Sequence, residues 1–431
     1  MTAYSKSFMG LPNSLRLWDP MHTNTAIIDT KTIDYFPQSS LESSDSINFT
    51  IPAMEKLMLD KIHVIVDLKV MSADKVTNLA ANTNVSFVPH LAAALWRNVE
   101  FSIGGTSLTQ SFDNSYAMNT FWNTVLHTPK TGHLLKRLTE GLHLDDVTTK
   151  AASESLIFFG NEGVINQHAK HRAERISQSK TVSLISELNV SLLKQDKLLP
   201  PRTEYQINFT KNYDEFILLE AANGTSKVVF EKVILRCTFQ QPCNMVLNIF
   251  EEDLAKENAI YHADKYMLTF HSLMNTVDHT IDIFNGPLPY HILIGVQDRS
   301  ALARNGRNKN PFSLHPLKQV QLFVNGKDHF PIPITRTSSE YGIMYDSFLR
   351  ECGNPHNGDT MLHDHYRAFP AMAFDLTPNR NANTTSLNIS KHGNCRLNFT
   401  LFDAANNYVL MVLAIYEQAV EFDKDRQVTL G

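Results

Sequence analysis

What most constrains this chain is a long succession of short segments in which apolar and polar residues alternate. Ile62-His63-Val64-Ile65-Val66-Asp67-Leu68-Lys69-Val70 holds that period over nine residues, the pattern of a strand with one buried face. Ile47-Asn48-Phe49-Thr50-Ile51 repeats it, and Val99-Glu100-Phe101-Ser102-Ile103 closes on Gly104-Gly105, a turn that tolerates positive φ. Strands are also expected at Val182 to Leu193, Tyr205 to Thr210, Phe216 to Leu219 and Val228 to Phe239. The second half continues with Met245 to Phe250, Tyr266 to Leu273, Thr280 to Phe284, His291 to Val296 and Val320 to Val324. Arg396 to Phe402, Tyr408 to Tyr416 and Val420 to Phe422 close the series. Val, Ile, Phe and Thr dominate these runs, as a pleated, half-buried surface prefers.

Helical patterns are few: His133 to Leu144, Glu251 to Lys265 and Ile343 to Cys352. A handful of helices inserted among many short strands points to β-sandwiches, not to a doubly wound parallel sheet. The fold class expected is all-β. The first 45 residues, with Pro12, Pro20, Pro37 and the serine-rich stretch Ser39 to Ser46, read as an extended arm.

Two motifs recur. Val99-Glu100-Phe101-Ser102-Ile103-Gly104-Gly105 is echoed by Val320-Gln321-Leu322-Phe323-Val324-Asn325-Gly326, and Tyr205-Gln206-Ile207-Asn208-Phe209-Thr210 by Cys395-Arg396-Leu397-Asn398-Phe399-Thr400. The first pair lies 221 residues apart and the second 190, in the same order. Two similar halves are expected, with the hinge near Gln240-Gln241-Pro242, where proline ends a strand. The domains expected are an arm over 1–45, a first sandwich over 46–241 with an insertion near 128–179, and a second sandwich with the tail over 242–431.

The chain has 431 residues, 43% of them hydrophobic and 19% charged, a globular composition in which either half can bury its own core. With 39 basic and 44 acidic residues the net charge is -5, unlike a chain whose task is neutralising phosphates. The run Lys170, His171, Arg172, Arg175 is the best candidate for a basic face and is read as a solvated helix face or loop. Met1 to Gly10 holds no apolar stretch of signal-peptide length, so the Sec route is not expected. The spacing of Cys237 and Cys243 could close a small loop, but these two, Cys352 and Cys395 are accordingly expected as thiols. Eight Asn-X-Ser/Thr sequons, among them Asn48, Asn84, Asn208, Asn223 and Asn398, read as by-products of a composition rich in those residues. No run approaches the length of a membrane-spanning helix.

Reactive constellations are scarce. His363-Asp364-His365 would present two imidazoles on one face of a strand, and a cupin-type enzyme would add Glu340 and His356, at spacings that match no metal motif. His168 and His171, at i and i+3, read as a solvated face. Cys352, in Arg350-Glu351-Cys352-Gly353, lacks a sequence-visible base, and a nucleophile needs one. Glu251-Glu252 and Asp145-Asp146 read as helix-start carboxylates. Neither a Gly-x-x-x-x-Gly-Lys loop nor a Gly-x-Ser-x-Gly turn occurs. No catalytic, cofactor-binding or metal residue is assigned, and no cofactor is expected.

Several blocks resemble the major capsid protein of Maverick/Polinton elements and adintoviruses, of the double jelly-roll lineage shared with adenovirus hexon. They are Leu17-Trp18-Asp19-Pro20 with Thr23 to Ile27, Ile47 to Pro52, Leu59-Asp60, Asn310-Pro311-Phe312, Val324-Asn325-Gly326 with Pro331, Phe374 to Pro378, Ala414-Ile415-Tyr416, and Val420 to Val428. The resemblance spans about residues 17 to 430, with no counterpart for Thr128 to Ser179. It implies two tandem jelly rolls and homotrimeric capsomers of pseudo-hexagonal outline tiling an icosahedral virion shell. Partners would be neighbouring capsomers, a penton protein and minor capsid proteins; assembly would take place inside the host cell, with no specific nucleic-acid binding and no enzymatic role. The other classes open to such a chain are a jelly-roll module binding carbohydrate or a cell surface, and a cupin-type metal enzyme.

Overall fold

The computed structural model describes residues 24–109, 114–128, 130–145, 167–221, 223–302, 309–330, 332–336, 341–352, 363–380, 382, 391–404 and 407–431. Among the described residues sixteen strands carry the architecture, eight in each half. The first eight are β1 (Ile27–Tyr35), β2 (Ser46–Ile51), β3 (Met58–Met71), β4 (Trp96–Ile103), β5 (Thr106–Ser107), β6 (Val182–Glu187), β7 (Tyr205–Lys211) and β8 (Lys227–Pro242). The second eight are β9 (Ala259–Ser272), β10 (Asp278–Pro287), β11 (His291–Asp298), β12 (Leu317–Val324), β13 (Lys327–Asp328), β14 (Met372–Asp375), β15 (His392–Leu401) and β16 (Tyr408–Phe422). Short strands at Ser86–Phe87, Leu218–Leu219, Ile334–Thr335 and Val428–Leu430 add to these.

The first eight form sheets of order β1-β8-β3-β6 and β2-β7-β4-β5, the second eight β9-β16-β11-β14 and β10-β15-β12-β13. Each strand of the second set thus occupies the place of the strand eight before it. Every pairing between these strands is antiparallel, and two four-stranded sheets interleaved in this order make a jelly roll. The fold is all-β, two tandem jelly rolls with inserted helices.

The duplication extends to register. Asn208 of β7 pairs with Glu100 of β4, and Asn398 of β15 pairs with Gln321 of β12, so the two recurrent motifs lie side by side in the same alignment in each unit. The turns after β4 and β12 also agree. Gly104 and Gly105 have φ of 55° and 86°, Asn325 and Gly326 of 52° and 74°, the paired positive values of a hairpin turn matched to strand twist.

Alternation explains the strands. In β3 the side chains of Ile62, Val64, Val66, Leu68 and Val70 are buried, whereas those between them face outward or are half covered. In β16, Val409 to Ile415 are buried on both faces, and the two runs read separately in the sequence merge into one strand.

Several readings change. Ile27–Tyr35, inside the segment read as an arm, is β1 and pairs with β8. Met245 to Phe250, read as a strand, lies in a helix, Asn244–Leu254, because Leu247 and Leu254 share one buried face two turns apart. The helix expected over Glu251 to Lys265 ends at Leu254, and β9 begins at Ala259. Phe216 and Ile217 close a helical turn before the two-residue strand Leu218–Leu219, and Ser191–Leu193 is a 3-10 turn beyond β6.

Among the described residues the helices of six residues or more are labelled α1 (Ser115–His127), α2 (Lys130–Thr139), α3 (Gln167–Ile176), α4 (Asn244–Leu254), α5 (Gly342–Glu351) and α6 (His363–Ala368). The insertion between β5 and β6 therefore begins before residue 128, with α1. Helix α1 bridges the two units: Tyr116 belongs to the first core and Tyr116 and Thr120 bond Asn189, while Ala117, Met118, Phe121, Trp122 and Val125 belong to the core that holds the second jelly roll. Phe121 stacks on Phe312 at 4.2 Å and 11° and meets Phe369 at 5.5 Å. In return Tyr261, Val420 and Phe422 of the second unit enter the first core.

Candidate functional site

The sequence candidates fall into three places. His365 lies on helix α6, not on a strand. Residues two apart on a helix point to different faces, so the strand geometry that would pair it with His363 is overturned; the side chains of His363 and Asp364 lie outside the described residues, as do Glu340 and His356. The ring of His365 meets that of His168 at 6.3 Å, and its Nδ1 is 3.2 Å from the Asp145 carbonyl oxygen. The two histidine pairs singled out in the sequence thus meet through one member each. Among the described residues no group of three or more His, Cys, Asp or Glu side chains is placed to hold a metal.

The basic run is no basic face. Arg172 of α3 is buried, donating from Nε to the Phe87 carbonyl at 2.8 Å and from Nη1 to the His143 carbonyl at 2.7 Å and to Asp145 Oδ1 at 3.0 Å. Arg175 donates to the Arg137 carbonyl at 2.8 Å, while His171 is exposed beside Glu174. Asp145 is likewise buried, so this carboxylate serves an internal pair and no helix start. Close by, Glu140 accepts from Lys136 at 2.7 Å and faces His90 Nε2 at 3.2 Å. Burial pushes the Glu140 carboxyl up, but His90 and Lys136 outweigh it and hold the group below the usual carboxylate range.

Burial, then the charges of Arg172, Arg137, Arg175 and His168, pushes the His143 imidazole down to about 3. An unfolded chain takes up that proton near pH 6.5, the folded one only near pH 3. Stability from neutral His143 is therefore complete above pH 6.5 and is lost as pH falls from 6.5 towards 3, at up to about 1.4 kcal/mol per pH unit. Urea titrations across this window should show a shallower slope for His143→Gln than for the parent chain.

The second place is the end of α5. Glu351 Oε2 accepts the Asp375 amide at 2.6 Å and faces His329 Nε2 at 3.1 Å, and both carboxylates are buried. Asp375 accepts from the amide and hydroxyl of Thr377 and from the amide of Ala382. Arg380 donates to the His329 carbonyl at 2.7 Å. These bonds fix the loop that follows β14. Burial, with Glu351 and Asp375 adjacent, pushes the Cys352 thiol far up; a thiol held protonated is no nucleophile. All four cysteines are free.

The third place is the junction between the two jelly rolls, which sequence reading did not anticipate. The loop after β6 lies along the outer edge of β9: the Asp264 amide donates to Ser191 Oγ at 2.7 Å, and Lys197 Nζ donates to the Ile260 carbonyl at 3.1 Å. Residues 260 and 264 share a parity, and both backbone groups point away from β16, the only strand paired with β9 among the described residues. Tyr261 Oη donates to the Leu198 carbonyl at 2.8 Å and Asn123 Nδ2 to Tyr266 Oη at 3.0 Å. A C-terminal clasp completes the junction. Arg426 donates to the Pro201 carbonyl at 2.9 Å and pairs with Glu251. Glu251 thus lies in the last turn of α4, not at a helix start. Arg426→Ala should lower stability by about 1.5–3 kcal/mol, the range for bonds to charged groups, read as a shift of the urea midpoint.

No protein-family model matches the chain, and no curated protein matches it. Solved structures do. A chain in the cryo-electron microscopy structure of the Sputnik virophage aligns over 99% of this chain and 93% of its own length, at TM-score 0.69 and 11% identity. The Faustovirus major capsid protein aligns over 94% and 92%, at 0.60 and 10%, and the mavirus major capsid protein over 99% and 95%, at 0.55 and 11%. At such identities the likeness establishes the shared fold, a double jelly roll along nearly the whole chain.

Proposed function

We propose that this chain is the structural major capsid protein of a virion, a homotrimeric capsomer of pseudo-hexagonal outline that tiles an icosahedral shell. The observation that carries the reading is one eight-stranded sandwich built twice, in the same sheet order and register, within one chain. Three copies then supply six similar units, and a ring of six similar units has a hexagonal footprint. The solved virophage and capsid chains of the same fold support it. The domains are a first sandwich extending to residue 241 and a second from 242. The role is non-enzymatic, since burial and interface area do the work. The sequence blocks quoted above support a kinship with the Maverick/Polinton and adintovirus capsid proteins; in this reading the partners are penton, minor capsid proteins and neighbouring capsomers, in an assembly made inside the host cell.

Gel filtration with light scattering, followed by negative-stain imaging of the purified chain, tests it. Trimers of hexagonal outline are the expected result; a monodisperse monomer at every concentration overturns the reading.

A further inference from the structure

The end of the first jelly roll farthest from the hinge carries a groove that takes no part in the junction. β8 runs from Lys227 beside this groove to Pro242 at the hinge, a separation of about 50 Å for an extended strand of that length. The groove has a volume of about 670 Å³, the size of a small-molecule site. It lies between the turn after β3, the loop before β2, the starts of β4 and β8, and the end of β7. Asn212 is 9% exposed and lines it. Its Oδ1 accepts the Tyr213 amide at 2.9 Å, while its Nδ2 is buried with no hydrogen-bond partner among the described residues. A buried donor without an acceptor is costly, and a ligand oxygen would relieve that cost.

The charges of the groove favour an anion. Asp74 takes the amides of Val76 at 3.0 Å and Thr77 at 2.9 Å, which fixes the turn that presents Lys75. Lys211 Nζ donates to the Ser44 carbonyl at 2.7 Å. Burial pushes its ammonium down, Asp45 opposes this, and Lys75 pushes it down further. Arg97, with its guanidinium 4.9 Å from the Tyr213 ring centre, is the third cation. Asp214 is engaged by Lys227 at 3.0 Å and by the Val228 amide at 2.8 Å. Three cations thus face two remaining carboxylates, Glu42 and Asp45, both exposed. Val76, 79% exposed, and the Tyr213 ring supply an apolar wall.

We propose that this groove binds an acidic saccharide, a sugar ring that carries a carboxylate. The carboxylate pairs with Lys75 and Arg97, and a ring or hydroxyl oxygen accepts from Asn212 Nδ2. Sugar hydroxyls donate to Glu42 and Asp45, and the CH face of the ring rests on Val76 and Tyr213. A neutral sugar leaves the excess of cations unanswered. A bare carboxylate leaves the apolar wall and the two acceptors unused. The site is built from one copy alone, so it does not depend on the trimer.

Saturation-transfer NMR on the full chain, with glucuronic acid, glucose and acetate as probes, tests this. Glucuronic acid and glucose share a ring and differ in the carboxylate, whereas acetate has the carboxylate and no ring. Glucuronic acid should bind at least about ten-fold more tightly than either, the worth of one charge-assisted bond, and added salt should weaken it. Lys75→Ala should lower its affinity about ten-fold and leave the urea midpoint unchanged, because Lys75 is exposed. Asn212→Asp keeps an acceptor for the Tyr213 amide, removes the orphan donor and should abolish binding; Lys75→Ala carries the test alone if that variant fails to fold. No binding by the parent overturns the proposal. So does equal binding of glucuronic acid and glucose, or of glucuronic acid and acetate. An affinity unchanged by Lys75→Ala overturns it as well.

Discussion

Arg172→Ala should destabilise the chain by about 3–5 kcal/mol, the range seen when one partner of a buried ion pair is removed and the other is left uncompensated. The side chain does three things at once: it neutralises Asp145, satisfies the carbonyls of Phe87 and His143, and ties α3 to the segment before β4. The Ala variant loses all of them and leaves the Asp145 carboxylate in a water-poor site. Arg172→Met/Asp145→Leu keeps the volume and removes both charges, so it should recover a substantial part of the loss. Urea unfolding of the two variants beside the parent reads this directly. Equal loss in both would mean that the carbonyl contacts carry the site and the ion pair does not.

Phe121→Ala should cost about 3–5 kcal/mol, as aromatic truncation in a packed core does. The effect should be qualitatively different from that of Arg172, because Phe121 is encoded among the strands of the first jelly roll and packs on Phe312 and Phe369 of the second. The parent should unfold in a single transition. In the variant the second jelly roll loses its stack with the visiting helix, and a separate earlier transition should appear in calorimetry. A single transition shifted as a whole would show that α1 is not what joins the units.

The strands were legible because each carries its own signal. Ile62 to Val70 alternates whatever packs on it, and the Gly104-Gly105 and Asn325-Gly326 turns announce positive φ by residue type. Helix α1 was not legible. Its sequence, SYAMNTFWNTVLH, mixes aromatic and β-branched residues with poor helix formers; it is stabilised by packing against both cores at once. Met245 to Phe250 was misread because a short apolar run has no period of its own, and only the burial of Leu247 and Leu254 fixes it as a helix. Arg172 sits in a run of cations that looks solvated, and nothing local reveals that Asp145, before the insertion's middle, will meet it. The junction was equally silent, since Ser191 and Lys197 are ordinary loop residues until β9 arrives beside them.

Helix α1 also sets a timetable for synthesis. Phe121 and Trp122 leave the ribosome roughly 190 residues ahead of Phe312, an interval of about 10–40 s at ordinary elongation rates. During that interval the first jelly roll can close its own sheets while displaying an apolar helix face with nothing yet to receive it. A nascent chain in this state has a strong hydrophobic docking surface, and high expression multiplies the number of such surfaces in one compartment. Slowing translation after residue 242 should therefore lower the yield of native protein, and holdase chaperones supplied at that stage should restore it.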